Sequence, residues 1–141
     1  MPIVGFNFDK ILVEKKHPIS NQVKINSDLS IKDLQEEKIS IGKTEDLLKF
    51  IFEFKVSYDN LGEILLVGHI LYLEDQKKTN DILKEWKKNK KIPDELMALL
   101  INTALFRCNI KALTLSQEVN LPPHLRMPRL APSKDLKEYI G

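Results

Sequence analysis

The side chains that could perform acid–base, metal or nucleophilic chemistry are few in this sequence and lie far apart. His17, His69 and His124 fall in a turn, a strand and a proline-rich segment, and no His, Cys, Asp or Glu cluster has metal-site spacing. With five glycines, the sequence contains neither a phosphate-binding loop nor a serine-nucleophile elbow. We therefore predict no catalytic residues, no metal, no cofactor and no enzyme activity.

Two of these candidate residues have a structural explanation that is simpler than a chemical one. His69 lies in the middle of an apolar strand, where a hydrogen-bonded or face-exposed histidine is more common than a catalytic one. Cys108 is the only cysteine, so it can form no intramolecular disulfide, and on a helix its neighbour Arg107 points elsewhere. A lone structural thiol fits a reducing compartment, and we expect a cytoplasmic protein.

The strongest concentration of charge lies within residues 76–91, which contain seven lysines against Asp81 and Glu85, a local charge of +5. Lysines that hold phosphates beside an aromatic ring that stacks on a base would form an RNA-binding patch. The commoner explanation is the solvated face of a helix, with the tryptophan anchored in the core. The whole chain carries only +2, which does not favour nucleic acid as the main partner. The candidate RNA patch consists of Lys84, Trp86, Lys87, Lys88, Lys90 and Lys91.

The elements that must position these side chains begin with a hairpin between Leu47 and Asp75. Apolar residues occupy every second position from Leu48 to Tyr58, which is typical of a half-buried strand. Residues 59–62 have turn composition, and residues 63–73 are apolar on both faces apart from a glycine and a histidine. The pattern predicts a hairpin whose second strand is central in a sheet.

Two further strands precede this hairpin. In residues 4–15 the apolar positions change parity after Phe8, which predicts a bulge near Asp9. Residues 23–31 alternate again and have one polar face, whereas residues 33–43 are compatible with a continued strand, a helical turn or a loop. No crossover helix separates the four strands, so the sheet should be mainly antiparallel.

The apolar period changes from two to that of a helix after Asp75. One helical face carries Thr79, Ile82, Leu83 and Trp86, with Asp75 or Thr79 as the N-cap. A longer helix, apolar nearly all round, begins at Pro93 and ends near residue 120, before two prolines. We therefore predict an α+β fold in one domain, residues 1–130, with a C-terminal tail, residues 131–141, that could form a short helix.

Apolar residues exceed what one small sheet and two helices can cover. The surplus predicts either a partner subunit or a binding groove. No stretch reaches the roughly 18 to 20 apolar residues of a membrane span, so we expect a soluble protein with no membrane partner. The simpler interpretation of the aromatic strand is that its rings form the core. If the surplus instead forms a groove, this strand and the proline-rich segment supply the candidate groove residues, which are Phe50, Phe52, Phe54, Tyr58, Leu121 and Leu125.

The order of elements and two short motifs resemble the SecB family of export chaperones. The run from Phe8 to Glu14, followed by His17-Pro18, resembles the first strand of that family and its following proline. The run from Asn120 to Pro128 resembles the segment after the family's long helix, where two prolines follow a hydrophobe and a third comes later. The match extends over residues 3–130 and would make the chain a divergent, archaeal-type member.

The resemblance implies a SecB-like four-stranded antiparallel sheet with both helices packed on one side. It further implies an ATP-independent molecular chaperone, a holdase, that forms dimers or a dimer of dimers and binds unfolded polypeptides along hydrophobic grooves. The family is acidic, whereas this chain has a pI near 8.6, and residues 133–141 do not resemble the family's motor-binding tail. A link to protein export is therefore left open. The alternatives are an RNA-associated protein and a non-enzymatic structural subunit of a larger complex.

Overall fold

The computed structural model describes residues 3–18, 22–41, 43–129, 132 and 136–140, with only the backbone described for 39–41, 43–46 and 136. Its four strands form one antiparallel sheet in the order β1-β4-β3-β2, and two helices follow. The α+β prediction is therefore confirmed. The elements are β1 (Ile3–Lys15), β2 (Ile25–Ile41), β3 (Lys43–Tyr58), β4 (Gly62–Leu73), α1 (Gln76–Asn89), α2 (Asp94–Glu118) and a short 3-10 helix (Leu136–Tyr139).

The strand β4 lies inside the sheet between β1 and β3, as its two apolar faces predicted. Its even-numbered residues are buried from Gly62 to Tyr72, and its odd-numbered residues are half-buried. At Gly68 a Cβ atom would overlap the Asn7 carbonyl oxygen and the Phe52 ring. Only glycine therefore allows the aromatic side chain of β3 to pass over β4 at this point.

Both outer strands contain an irregularity. The pairing of β1 with β4 shifts between Phe8 and Lys10, which confirms the predicted bulge. The pairing of β2 with β3 shifts between Ile31 and Asp33. Beyond that point β2 continues to Ile41, so the segment that the sequence left open is strand. Bulges in edge strands interrupt the regular row of free backbone groups that would otherwise invite pairing with another chain.

The helix α1 forms as its sequence pattern predicted. The Asp75 side chain accepts a hydrogen bond from the Lys78 backbone N at 2.9 Å, which caps the N-terminus. Thr79, Ile82 and Trp86 are buried on one face. The helix ends at Asn89, and the next residue, Lys90, has a left-handed conformation with φ 55° and donates its N–H to the Trp86 carbonyl.

The helix α2 is 25 residues long, begins immediately after Pro93 and ends at Glu118, and residues 94–118 contain no strand. Every fourth residue is buried, and four of these six buried residues are small. Small side chains allow the helix backbone to lie close to the sheet. The buried row consists of Leu96, Leu100, Ala104, Cys108, Ala112 and Ser116.

The two faces of the sheet differ in cover. Both helices pack on the face formed by the even-numbered residues of β3 and β4, which are buried. On the opposite face, among the described residues, half-buried apolar side chains are followed by polar ones towards β2. The uncovered apolar side chains include Leu12, Ile51, Leu65, Val67 and Leu71.

Candidate functional site

The outward face of α2 carries large apolar side chains that the sheet does not cover. Phe106 is 69% exposed, Ile110 53% and Leu99 42%. They belong to a row with alternating spacings of four and three residues, which is the seam spacing of a coiled coil. We call this row the α2 stripe, and it consists of Leu99, Thr103, Phe106, Ile110, Leu113 and Gln117.

The α2 stripe contains no charged residue over its length of about 27 Å, at 1.5 Å per residue. Between Met97 and Gln117 the only charged residues are Arg107 and Lys111, and both reach towards β1. The Arg107 guanidinium lies 5.1 Å from the Phe6 ring centroid, and the Lys111 Nζ lies 5.7 Å from that of Phe8. Their positive charges are therefore directed away from the stripe.

Contrary to the expectation from the sequence, α2 is long and apolar enough to cross a membrane by length and composition, and it is the one such helix in the described part of the chain. Its most apolar window has a mean hydropathy of 1.4, and 28% of that window is buried in the fold. Core helices of soluble proteins satisfy the same criterion. Since α2 packs on the sheet through its inner row, we attribute its apolar character to packing and to the uncovered stripe.

A second uncovered apolar surface lies beside residues 121–129, which we call the proline-rich segment. Leu125 is 41% exposed and Met127 49% exposed. With Ile25, at the start of the edge strand β2, they line a shallow groove that Arg126 and Arg129 border. We call this the end groove, and its apolar residues are Ile25, Pro123, Leu125 and Met127.

The first half of the proline-rich segment is fastened to the sheet and to α2. Leu121 is buried, and its N–H donates to the Ser116 carbonyl at 2.8 Å. The Tyr58 hydroxyl donates to the Pro122 carbonyl oxygen at 2.7 Å. Burial raises the pKa of Tyr58 to about 12, so this hydroxyl remains a donor at any physiological pH. Of the two leucines predicted for a groove, Leu121 is therefore an anchor and Leu125 is accessible.

His124 makes the third attachment of this segment. Its Nε2–H donates to Asn109 Oδ1 at 2.7 Å, and its ring meets the edge of Phe54 with 6.0 Å between ring centroids. The other ring nitrogen, Nδ1, is buried and has no hydrogen-bond partner among the described residues. Burial lowers the pKa of His124, because it disfavours the charged imidazolium.

The four aromatic residues predicted to line a groove lie in the core instead. Phe50, Phe52, Phe54 and Tyr58 are each at most 1% exposed. They occupy the face of β3 that the helices and the proline-rich segment cover. Their burial agrees with the core interpretation, and a client could reach these rings only after an element above them had moved.

His69 lies on the uncovered face of the sheet and has hydrogen-bond partners. Its Nδ1–H donates to Asp9 Oδ2 at 2.7 Å, and its Nε2 lies 3.4 Å from Asn7 Nδ2. The bulge in β1 places Asp9 beside this ring. His69 is therefore the satisfied strand histidine that the sequence predicted.

Cys108 lies in the inner row of α2 and is fully buried. Burial raises the pKa of its thiol to about 12, which makes the nucleophilic thiolate inaccessible at neutral pH. The expectation that this cysteine is structural agrees with its position. Across the described ranges, no three His, Cys, Asp or Glu side chains come together as a group that could hold a metal ion.

The candidate RNA patch lies at the C-terminal end of α1. Its lysines are exposed, but Trp86 is only 9% exposed and belongs to the core. The Lys90 Nζ also lies over this ring, 5.0 Å from its centroid. The patch therefore offers cations to a ligand but no aromatic ring on which a base could stack.

Sequence reasoning missed the exposed residues Phe106, Ile110 and Met127. The four-and-three spacing of the α2 stripe is readable in the sequence and could have identified the first two. Comparisons of the chain with protein-family models, with curated proteins and with solved structures find no match. The surfaces described above are therefore the available guide to function.

Proposed function

We propose that this protein is an ATP-independent holdase that binds unfolded polypeptides through apolar surface. The observation that carries the proposal is the end groove, where exposed Leu125 and Met127 adjoin the beginning of an edge strand. An extended chain could pair its backbone with β2 and place alternate side chains in the groove. This mode of binding reads no particular sequence, as a chaperone for non-native chains requires.

The α2 stripe has a different role in this proposal, which is to pair copies of the chain. In an antiparallel pair of α2 helices, Phe106 would face Ile110 of the partner subunit, and Thr103 would face Leu113 of the partner subunit. The row is thus complementary to itself about a two-fold axis, as a symmetric dimer interface must be. We infer a homo-oligomer, a dimer or a dimer of dimers, whose stripes are covered and whose end grooves stay free.

The holdase proposal is tested by diluting a chemically unfolded client into buffer with and without this protein, and recording light scattering. We expect suppressed aggregation without nucleotide, at low and at high salt, because apolar contacts are little affected by screening. Undiminished aggregation at several-fold molar excess of the protein, at both salt concentrations, would contradict the proposal.

A second candidate function is RNA association through the exposed lysines of the candidate RNA patch, since the local charge of +5 is unusual for this chain. Binding through phosphate contacts alone would weaken steeply with salt. Replacing Lys87, Lys88, Lys90 and Lys91 with alanine should then abolish retention of RNA. A purely structural subunit, the third possibility, would neither retain RNA nor suppress aggregation.

A further inference from the structure

The proline-rich segment covers part of the aromatic core that the sequence pointed to. Phe54 and Tyr58, at most 1% exposed, contact this segment through the His124 ring and the Pro122 carbonyl. Beyond His124 the side chains become exposed, at Leu125 and Met127. If the segment moved away, these two aromatic side chains would lose part of their cover and extend the apolar floor of the end groove.

Of the three described attachments, at Leu121, Pro122 and His124, only that of His124 contains a group that titrates near neutral pH. The Leu121 attachment is apolar packing and a backbone hydrogen bond, and the Tyr58 hydroxyl does not ionise in this range. Because Asn109 Oδ1 accepts from Nε2, the neutral His124 ring carries its proton on Nε2. A second proton would go on Nδ1, which is buried and lacks a partner in the described structure.

The charges around this ring do not compensate an added proton. Asn109 faces it from α2 and Phe54 from β3, and neither carries a charge. Among the described residues that line the end groove, from β2 to the proline-rich segment, the charged ones are the cations Arg126 and Arg129. Along α2 the nearest charged residues in sequence, Arg107 and Lys111, direct their charges towards Phe6 and Phe8 of β1. An imidazolium at this half-buried ring would therefore have no carboxylate among these residues and no acceptor for its Nδ1 proton.

The proline-rich segment, we propose, is a pH-sensitive cover that neutral His124 holds closed and that protonation of His124 releases. The pH-dependent release does not itself require the proposed function. Its biological role rests on that function, because the cover would regulate access of a client to the end groove. Release would expose the face of Phe54 that the His124 ring covers. Apolar surface available to a client would thus increase as the pH falls.

The direction of the pH effect follows from proton linkage. When the segment is released, His124 regains its ordinary pKa of about 6.5, whereas in the closed segment burial holds that pKa lower. The released state therefore binds the proton more tightly, and the closed state is fully favoured only above about pH 6.5. Below that value the ratio of released to closed molecules should rise by up to about tenfold per pH unit, until the pKa of the closed state is reached.

The chain contains a convenient reporter pair for this change. Of its three methionines, Met127 lies in the proline-rich segment and Met97 lies in α2. With methyl-13C methionine, the Met127 methyl signal, assigned through Met127→Leu, should change between pH 8 and pH 5, while that of Met97 stays constant. Binding of an apolar dye should increase over the same range.

Two variants with opposite expected outcomes decide whether His124 is responsible. His124→Gln keeps an amide donor towards Asn109 but cannot titrate, so the Met127 signal and dye binding should become independent of pH. Asn109→Asp places a carboxylate beside the imidazolium, which should keep the segment closed to a lower pH. Circular dichroism and the Met97 signal report whether each variant is folded.

The proposal would be overturned if Met127 in the wild-type chain did not respond to pH, or if it responded equally in His124→Gln. A response in Asn109→Asp that begins at a higher pH than in the wild-type chain would also contradict it. These readouts contain no client, so failure of the aggregation assay leaves them intact. Conversely, the protein could suppress client aggregation while its Met127 signal did not change with pH. That result would support the proposed function and refute the pH regulation.

Discussion

In α2 small side chains face the sheet and large apolar ones face outward, which is the reverse of the usual arrangement for a helix packed on a sheet. The inner row is completed by Ala104, Cys108, Ala112 and Ser116, all at most 1% exposed, whereas Phe106 and Ile110 point outward and are 69% and 53% exposed. A surface helix normally buries its largest apolar residues and exposes polar ones. The inversion indicates that the inner face serves close approach to the sheet, and it is the basis of our proposal that the outer face pairs with a second copy.

Charging the outer face should have the largest effect. The double variant Phe106→Glu with Ile110→Glu would bury carboxylates of both subunits against each other, at a cost of several kcal/mol per unpaired charge. We expect the mass measured by light scattering to fall from a multiple of 16.3 kDa to that of the monomer. Tyr139→Glu with Ile140→Glu, at residues 72% and 80% exposed in the tail, is the matched control and should leave the mass unchanged.

A wild-type chain that is already monomeric at micromolar concentration would refute the pairing role of the α2 stripe. The outer face would then be available to a client or to another protein. Equal loss of mass in the control variant would instead indicate a general effect of added charge.

Enlarging the inner face should mainly affect stability. Ala112 is fully buried against the sheet, so Ala112→Leu would force the helix outward and reduce the free energy of unfolding by about 1–3 kcal/mol. Urea denaturation measures this change. Ala98→Leu, on the exposed side of the same helix, adds the same atoms without a clash and should change the free energy little. A harmless Ala112→Leu would mean that the close approach of α2 to the sheet is not a tight constraint.

Charging the end groove should weaken client binding without affecting oligomerisation, which the proposal assigns to the α2 stripe. Leu125→Glu with Met127→Glu should raise several-fold the amount of protein needed to suppress client aggregation, since charge opposes apolar docking. The oligomer should persist, because these residues lie outside the stripe. Val4 is 49% exposed, as is Met127, and Val4→Glu is the control expected to protect the client normally. Normal protection by the double variant would move client binding to another surface.

Much of the fold could be predicted because local patterns and tertiary contacts agree. Alternation over residues 48–58 and the apolar faces of 63–73 placed the hairpin, and the parity change after Phe8 placed the bulge. Residues 33–41 could not be assigned because they are largely polar and weakly periodic. Their strand conformation depends on pairing with the first part of β3, in a hairpin that runs from Ile41 opposite Lys43 to Asp33 opposite Ile51.

The candidate site was harder to predict than the fold. A period of two shows that Phe50, Phe52, Phe54 and Tyr58 share one face, but not whether helices cover that face. Likewise, a helix apolar on all sides does not reveal which side lies against the sheet. Tertiary packing settles both questions, by burying the small residues of α2 and leaving Phe106 exposed.

The helix α1 has the usual arrangement, with a capped N-terminus and its large apolar residues buried. Removing its cap should change stability least among these variants. Asp75→Ala removes the acceptor of the Lys78 backbone N–H and should lower the free energy of unfolding by about 1 kcal/mol. Asp81→Ala, at an exposed position within the same helix, removes an equal charge without a capping bond and should have less effect. Urea denaturation of both variants separates the cap from charge alone. The helix α2 begins after Pro93 with no side-chain cap, so its position depends on packing of the inner row. The Asp75 variant should therefore leave the mass measured by light scattering unchanged.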